Sequence, residues 1–569
     1  MITLGIADNH DSGAAIVADG RLVAAVNQER IDRVKLSGAF PWGAIDAALD
    51  VAGLRPRDVT RIVVGTGFTP SAALRAAPAL HHQARAHAQF SPLLHSYILY
   101  QSALRATGLH EVEVDACRAL LSRRLRAGRP FGATRLEMMD HHRAHAEAAY
   151  RTQPDDRCLV LTVDAMGDGT TATAHLGHAG QLDLLWRQSG RAAINTFYSR
   201  VTEKLGFTAI RHEGKVTGLA AYAPPPPALL AHFQAHVAFR DGRFTRASLR
   251  TPAHPDDAFW SVLGRYAREE VAAAAQATLE AAVLPFVRHW VQRTGCATVA
   301  VAGGAFANVK LNQAIAALPE VRSLWVCPHM GDGGLAVGAA LGGAGAAPQA
   351  LPSAFLGPDI APLDAHKALS RAGLPPVDHA SQPAADGTPG DLARAAALLA
   401  DGKVLAIARG RMEWGPRALG HRSVLARPHD PAVNQQLNER LRRSEFMPFA
   451  PVVRAEDASR WFTAPAAVAP CLPFMTACVD TTPAFRAAAP AAVHIDGTAR
   501  PQCVTPDTAP DLHALLGQLA ARGLPPILLN TSFNLHEEPI VHTADDAVRA
   551  FGQARLDALW LGPTVATPG

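Results

Sequence analysis

The sequence predicts a mixed α/β protein of two domains, the first of them duplicated. Three observations carry that reading. The chain is 569 residues long, more than a single domain normally holds. A unit of strand, acidic turn, strand, polar turn and strand at residues 2 to 30 (ITLGIA, DNHDS, GAAIVA, DGR, LVAAV) returns at 158 to 186 (CLVLTVDA, MGDG, TTATAHLG, HAGQ, LDLLW). Ala, Pro and Gly then dominate residues 342 to 388, after which periodic segments begin afresh.

Taken in order, the D-G pairs mark tight hairpins, and the helical stretches between and after the two hairpin units suggest facing α/β lobes with a nucleotide-sized cleft. The second lobe runs through the helix EEVAAAAQATLEAAVLPFVRHWVQRTG to the strand and glycine turn ATVAVAGGAFAN, then to SLWVCPHMGDGGLAVGAALGG. The expected organisation is a first domain at 1–345, a linker at 346–388 and a second domain at 389–569, which opens on the helix DLARAAALLADG and the strand KVLAIARG.

Composition narrows the function. With 48% hydrophobic and 18% charged residues the chain is no disordered tail, and a net charge of +4 offers no basic scaffold for nucleic acid. Seven scattered cysteines, none in a C-x-x-C pair, argue against a zinc clip or a disulfide framework. The N-terminus has no signal-peptide pattern, and no long uninterrupted apolar run occurs, so the expectation is a soluble cytoplasmic protein without membrane or nucleic-acid partners. Only six of the 54 basic residues are lysine, an excess of arginine attributed to codon bias.

The strongest local signal is DHHRAHAEAAY. On a helix His141 and His145 lie one turn apart on a shared face, the spacing that lets two imidazoles hold one metal; His142 points elsewhere but could pair with His145. A His-rich surface helix is the competing reading. Two acidic turns favour the metal: Asp164 ends the strand CLVLTVD, and Asp332 sits in HMGDGG. Two imidazoles with two carboxylates suit iron(II), manganese or zinc and are too rich in nitrogen for magnesium.

Further candidates are weaker singly. The glycine turns at Gly303, Gly304 and Asn308 and at Gly331 and Gly333 lack the P-loop lysine, yet backbone amides beside helix N-termini suit phosphates. Lys215 stands near them in HEGKVTGLA. His10, flanked by Asp8 and Asp11 in the first hairpin turn, is a candidate proton acceptor. In the second domain Arg411, Arg417, Arg422, Arg442, Arg443 and Arg500, with Asn530, Ser532 and Asn534, could build a pocket for a planar anion, because guanidinium forks bind such groups with two hydrogen bonds.

These motifs, in order, resemble the NodU/CmcH-type O-carbamoyltransferases of antibiotic and nodulation-factor biosynthesis: LGIADNHDSGAAIV, HHRAHA, LTVDAMGD, EGKVTGLAAY, VAGGAFANVKLN, HMGDGGLAVGAAL, MEWGPRALGHRS, EFMPFAP and NTSFN followed by EPIV. The resemblance spans nearly the whole chain. It implies a duplicated ASKHA-type (actin-like, sugar-kinase-like) N-terminal domain and a YrdC-like α/β C-terminal domain. It implies an ATP-dependent transfer of the carbamoyl group of carbamoyl phosphate, through carbamoyl adenylate, to a hydroxyl of a small natural product in secondary metabolism. His141, His145, Asp164 and Asp332 resemble the ligands of an iron(II) site. Arg417, Arg442, Arg500 and Ser532 resemble the carbamoyl-phosphate pocket, with Arg422 and Asn534 beside it. The adenylate, with Mg2+ accompanying ATP, would lie against Lys215, Gly303, Gly304, Asn308, Gly331 and Gly333, with His10 as the base for the acceptor hydroxyl. Arg442, Ser444 and Glu537 stand where many relatives carry Lys, Thr and Gly. The regions 68 to 130 and 222 to 262 are expected to line the acceptor cleft, and the resemblance allows a homodimer. A tRNA threonylcarbamoyl transferase would want a more basic surface, and an actin-like assembly module would need neither the His pair nor the Arg segments.

Overall fold

The computed structural model describes residues 1–77, 92–132, 134–189, 194–245, 258–443 and 447–568. Ser444, with Glu445 and Phe446 of the EFMPFAP motif, and residues 78–91 and 246–257 of the expected acceptor regions, lie outside the described residues. The chain divides into two compact units.

The first unit comprises Met1–Gln28, Leu36–Leu351 and Pro465–Pro470. One sheet holds β1 (Ile2–Ala7), β2 (Gly13–Ala18), β3 (Arg21–Asn27), β4 (Arg61–Val64) and β5 (Arg135–Met138) in the order β3-β2-β1-β4-β5. The other holds β6 (Cys158–Gly167), β7 (Thr170–His178), β8 (Gln181–Ser189), β9 (Thr298–Ala302) and β10 (Ser323–Val326) in the order β10-β9-β6-β7-β8. The pairing is the same in both: an antiparallel meander of three strands, then two strands added in parallel to the first. The repeated hairpin units of the sequence are therefore the meanders of two sheets of one topology.

Two helices join the sheets. Helix α1 (His141–Arg151) starts at Asp140, whose carboxylate caps the Arg143 amide at 3.1 Å. Helix α2 (Leu335–Ala344) packs between β1 and α1, and small residues let it approach both. A β-carbon on Gly338 would strike the Ala144 carbonyl of α1, and one on Gly5 the Ala336 carbonyl of α2. Helix α3 (Arg268–Thr294) is long and apolar enough to cross a membrane by length and composition, but 67% of its apolar window is buried inside the protein, as for a core helix.

The second unit comprises Glu29–Lys35, Pro352–Ala464 and Cys471–Gly569. Its mixed sheet of seven strands runs Gln502–Val504, Ala450–Arg454, Ile527–Ser532, Arg422–Ala426, Leu405–Ala408, Ala558–Leu561, Thr564–Ala566. Helices Gly390–Ala400 and Pro510–Ala521 bring Leu399, Leu512, Leu515, Leu516 and Leu519 onto one face, in a core with Leu425, Val452, Leu528 and Trp560.

Two boundaries differ from expectation. Residues from Pro352 onward group with the second unit, and the segment read as a linker carries one helix and a few anchoring contacts in otherwise irregular chain. Phe355 stacks on His421 with ring centroids 3.6 Å apart, the Gly357 amide donates to Met412, and helix Pro362–Arg371 buries Ala365 and Leu369. Low periodicity hid this because the anchors are single residues spaced far apart. The run Glu29–Lys35 also belongs to the second unit: Arg30 donates to the Gly415 carbonyl at 2.8 Å, and Arg33 to Ile540 and Pro539 at 2.6 and 2.7 Å.

In the first unit, Arg75 grips Asp8 with Nε and Nη2 at 2.8 and 2.9 Å, both side chains almost fully buried. Changing Arg75 to Met strands a buried carboxylate, and the expected loss is about 3–5 kcal/mol, read as a lowered melting temperature. An unchanged melting temperature would show that the pair holds nothing together.

Candidate metal centre

The four side chains singled out as ligands converge within the first unit. His141 and His145 face inward from the first two turns of α1, Asp164 comes from β6, and Asp332 from the short turn Asp332–Gly334 ahead of α2. All four are buried, and their ligand atoms lie within 4.8 Å of one another. His141 Nε2 stands 3.2 Å from Asp164 Oδ2 and 3.6 Å from Asp332 Oδ1. His145 Nε2 stands 3.7 and 3.4 Å from the same two oxygens. Donors bonded to one ion at about 2.0–2.2 Å sit about 3.0–3.6 Å from their neighbours, and the four imidazole–carboxylate distances here run from 3.2 to 3.7 Å. His145 Nε2 is buried and, among the described residues, makes no hydrogen bond, although two carboxylates face it. A nitrogen aimed between acceptors rather than at one of them fits a shared divalent ion, and the donor set is that of a transition metal.

The electrostatics follow from burial. Burial alone would drive His145 down, but the carboxylates of Asp164 and Asp332 outweigh it and lift the imidazole to about 9. His141 is raised for the same reason, burial being overcome chiefly by Asp332 and Asp164. Asp164, in spite of burial, is held well below the carboxylate range by the two histidines. His142 takes no part. Its Nδ1 bonds Thr162 Oγ1 at 2.7 Å, its Nε2 lies 3.0 Å from the Thr170 carbonyl, and burial lowers it to about 3.

Residues that bring this about were not singled out by the sequence. Asp168, fully buried in the β6–β7 turn, accepts from the amides of Gly67, Phe68 and His141 at 2.7, 2.8 and 2.9 Å, tying the start of α1 to the first sheet. Asn9 Nδ2 donates to Asp332 Oδ2 at 2.6 Å. His10 Nδ1 lies 2.7 Å from that same oxygen, and its side chain remains 30% exposed. The expectation that Asp8 and Asp11 flank His10 electrostatically is corrected: Asp8 faces Arg75, Asp11 faces His329 Nε2 at 3.5 Å, and the carboxylate at His10 is Asp332.

Several expected phosphate contacts are committed elsewhere. Asn308 caps helix Val309–Ala316, accepting from Leu311 at 3.0 Å while its amide donates to Gln276 and Thr217, so its side chain is structural. The Gly304 amide donates to Asp164 Oδ1 at 3.0 Å. Gly303 has φ 104, and a β-carbon there would meet the Val163 backbone. Gly333 packs on His329, whereas the space beside Gly331 is open, and Lys215 is buried in helix Glu213–Leu219.

In the second unit the MEWGPRALGHRS loop folds around Glu413, whose Oε1 accepts from the amides of Leu419, His421 and Arg422 at 2.8, 2.9 and 3.1 Å. Arg422 is fully buried and donates to the carbonyls of Arg409, Gly410 and His421, so it braces the loop. Asn534 likewise knots its own loop, donating to the Leu535 and Glu538 carbonyls. Arg442 is exposed at φ 55, and its neighbour Arg443 makes the contacts: 2.8 Å to Thr531 Oγ1, 3.0 Å to Ser532 Oγ and 2.8 Å to Asn534 Oδ1. Helix Ala432–Arg440 has just ended, and the left-handed turn swings 442 outward and 443 inward. Arg417, Arg500 and Ser532 are half-buried.

A buried pair of imidazoles and pair of carboxylates that could hold a metal ion lies in a first unit of two like sheets, and the second unit is a further α/β body. The chain matches the carbamoyltransferase N-terminus model over residues 2–341 and the carbamoyltransferase C-terminus model over residues 396–567. It belongs to the NodU/CmcH-type carbamoyltransferase family and is a carbamoyltransferase enzyme. Nodulation protein NolNO of Sinorhizobium fredii is 29% identical across 97% of this chain and 78% of its own length. Nodulation protein NolO of Bradyrhizobium diazoefficiens is 31% identical across 75% of this chain and 78% of its own. Among solved structures, the activator of 2-hydroxyisocaproyl-CoA dehydratase from Clostridium difficile covers 60% of this chain and 93% of its own at 14% identity and a TM-score of 0.33, too loose to carry an argument.

His145→Ala removes a ligand, and the expected result is a loss of at least about a hundredfold in divalent-metal affinity, whereas His142→Ala keeps the wild-type metal stoichiometry; elemental analysis of the purified proteins reads both.

Proposed function

We propose that this carbamoyltransferase is ATP-dependent and moves the carbamoyl group of carbamoyl phosphate, via carbamoyl adenylate, to a hydroxyl of a small natural product. The observation that carries the reading is the His141, His145, Asp164 and Asp332 cluster with His10 at its rim, in a chain whose family transfers carbamoyl groups. The cluster would hold iron(II) or another divalent transition ion, which when bound supplies a Lewis acid for charge that develops on oxygen as the carbamoyl carbon is attacked.

The residues of the chain account for the rest. With its Nδ1 turned to Asp332 and its side chain 30% exposed, His10 has Nε2 left to accept the proton of the acceptor hydroxyl while that oxygen displaces AMP. The actin-like reading of the duplicated unit gives ATP, with Mg2+, the open turn at Gly331 and the neighbourhood of Lys215. The YrdC-like reading of the second unit gives carbamoyl phosphate the loops of Arg417, Arg500 and Ser532, with Arg443 in place of Arg442 as the inward guanidinium. A small acceptor, a cytoplasmic setting and a homodimer complete the proposal.

The test is incubation with carbamoyl phosphate and ATP. Pyrophosphate release that needs both substrates supports it; no consumption of either with any acceptor sinks it. Arg443→Met is expected to lower the kcat/KM of adenylate formation about 10- to 100-fold, with Arg442→Met close to wild type. Equal losses at the two positions would reject the reassignment.

A further inference from the structure

We propose that Asn9 is a positioning residue for the metal centre, holding Asp332 as a one-oxygen ligand and so keeping coordination positions open for substrate. The inference rests on the metal reading above and concerns how the ligands are held.

The carboxylate of Asp332 is divided between two tasks. Oδ1 faces His145 Nε2 at 3.4 Å and His141 Nε2 at 3.6 Å. Oδ2 accepts from Asn9 Nδ2 at 2.6 Å and stands 2.7 Å from His10 Nδ1. A carboxylate can only accept, so the amide end against it is the nitrogen, and the orientation of Asn9 is decided by chemistry. Asp164 is divided in the same way. Its Oδ2 faces the two histidines, and its Oδ1 accepts from the Gly304 amide at 3.0 Å and Asn195 Nδ2 at 3.5 Å.

A carboxylate whose second oxygen is tied cannot swing to grip an ion with both. Two such carboxylates and two imidazoles present four protein donor atoms. Divalent transition ions take from four to six, so up to two positions remain for oxygens of a substrate or water. The two clamps are unequal in what backs them. If Asn195 is lost, a backbone amide still holds Asp164. If Asn9 is lost, Asp332 Oδ2 keeps, among the described residues, His10, a side chain 30% exposed.

The turn that carries Asn9 is built to be still. Asn9 is 1% exposed. The preceding residue, Asp8, is fixed by Arg75 and accepts from Thr66 Oγ1 at 2.8 Å, so the backbone entering the turn is anchored by a buried ion pair. An isolated asparagine on a mobile loop would not pin a ligand; this one sits one residue from a clamp.

The experiment uses the full chain stripped of metal and titrated with Co2+, whose visible bands report coordination number and ligand mode. Asn9→Leu, similar in volume but without a donor, and Asn9→Ala are compared with wild type and with Asn195→Ala, and melting of the metal-free proteins shows that each is folded. Both Asn9 variants are expected to bind Co2+ about 10- to 100-fold more weakly and to shift the bands, with a smaller loss for Asn195→Ala. Asn9 variants with wild-type affinity and spectrum overturn the proposal. Wild-type protein that takes up no Co2+ overturns the metal centre, and this inference with it.

Discussion

Four ionisable side chains buried at one point are tolerable only if they compensate one another, and the first unit is organised around that requirement. Two carboxylates and two imidazoles meet with every ligand atom within 4.8 Å of the others. The second oxygen of each carboxylate has its own donor. The start of α1 is held by Asp168, and α2 is allowed close to α1 by Gly338, so the backbone that delivers three of the four ligands is fixed by packing and by buried hydrogen bonds. A centre of this kind is preformed, and little rearrangement is needed when an ion enters.

The second unit solves a different problem with similar means. Its arginines fall into two classes that the sequence makes look alike. Arg422 and Arg30 satisfy backbone carbonyls and shape loops, while Arg417 and Arg500 stay half-buried at loop edges. Glu413 does for the MEWGPRALGHRS loop what Asp168 does for α1: one buried carboxylate collects several amides and sets a turn. In both units a buried acidic residue organises the backbone around it.

How much of this could be read in the sequence follows from distance along the chain. The clustering of the four candidate ligands was legible because helical periodicity puts His141 and His145 on one face, and because Asp164 and Asp332 follow hydrophobic strands near glycine turns. The duplication was legible because each meander is local. The clamp of Arg75 on Asp8 was not, since nothing local pairs residues 67 positions apart. Nor was the choice between Arg442 and Arg443, which hangs on one left-handed residue after a helix, or the partner of His10, which lies 322 residues on by its number.

By itself the sequence determined the class of fold, the repeat of the hairpin unit, the identity of the four metal-ligand candidates and, through its ordered motifs, the family. Short-range periodicity and turn chemistry are enough for that, because they act within a few residues. Only the tertiary structure decided which polar residues are spent on the fold and which remain for ligands. Asn308, Arg422 and Asn534 bond within the fold, Asn9 meets Asp332, and the chain after Pro352 groups with the second unit. Those outcomes depend on which buried donor meets which buried acceptor, and close packing of distant segments settles that where local pattern cannot.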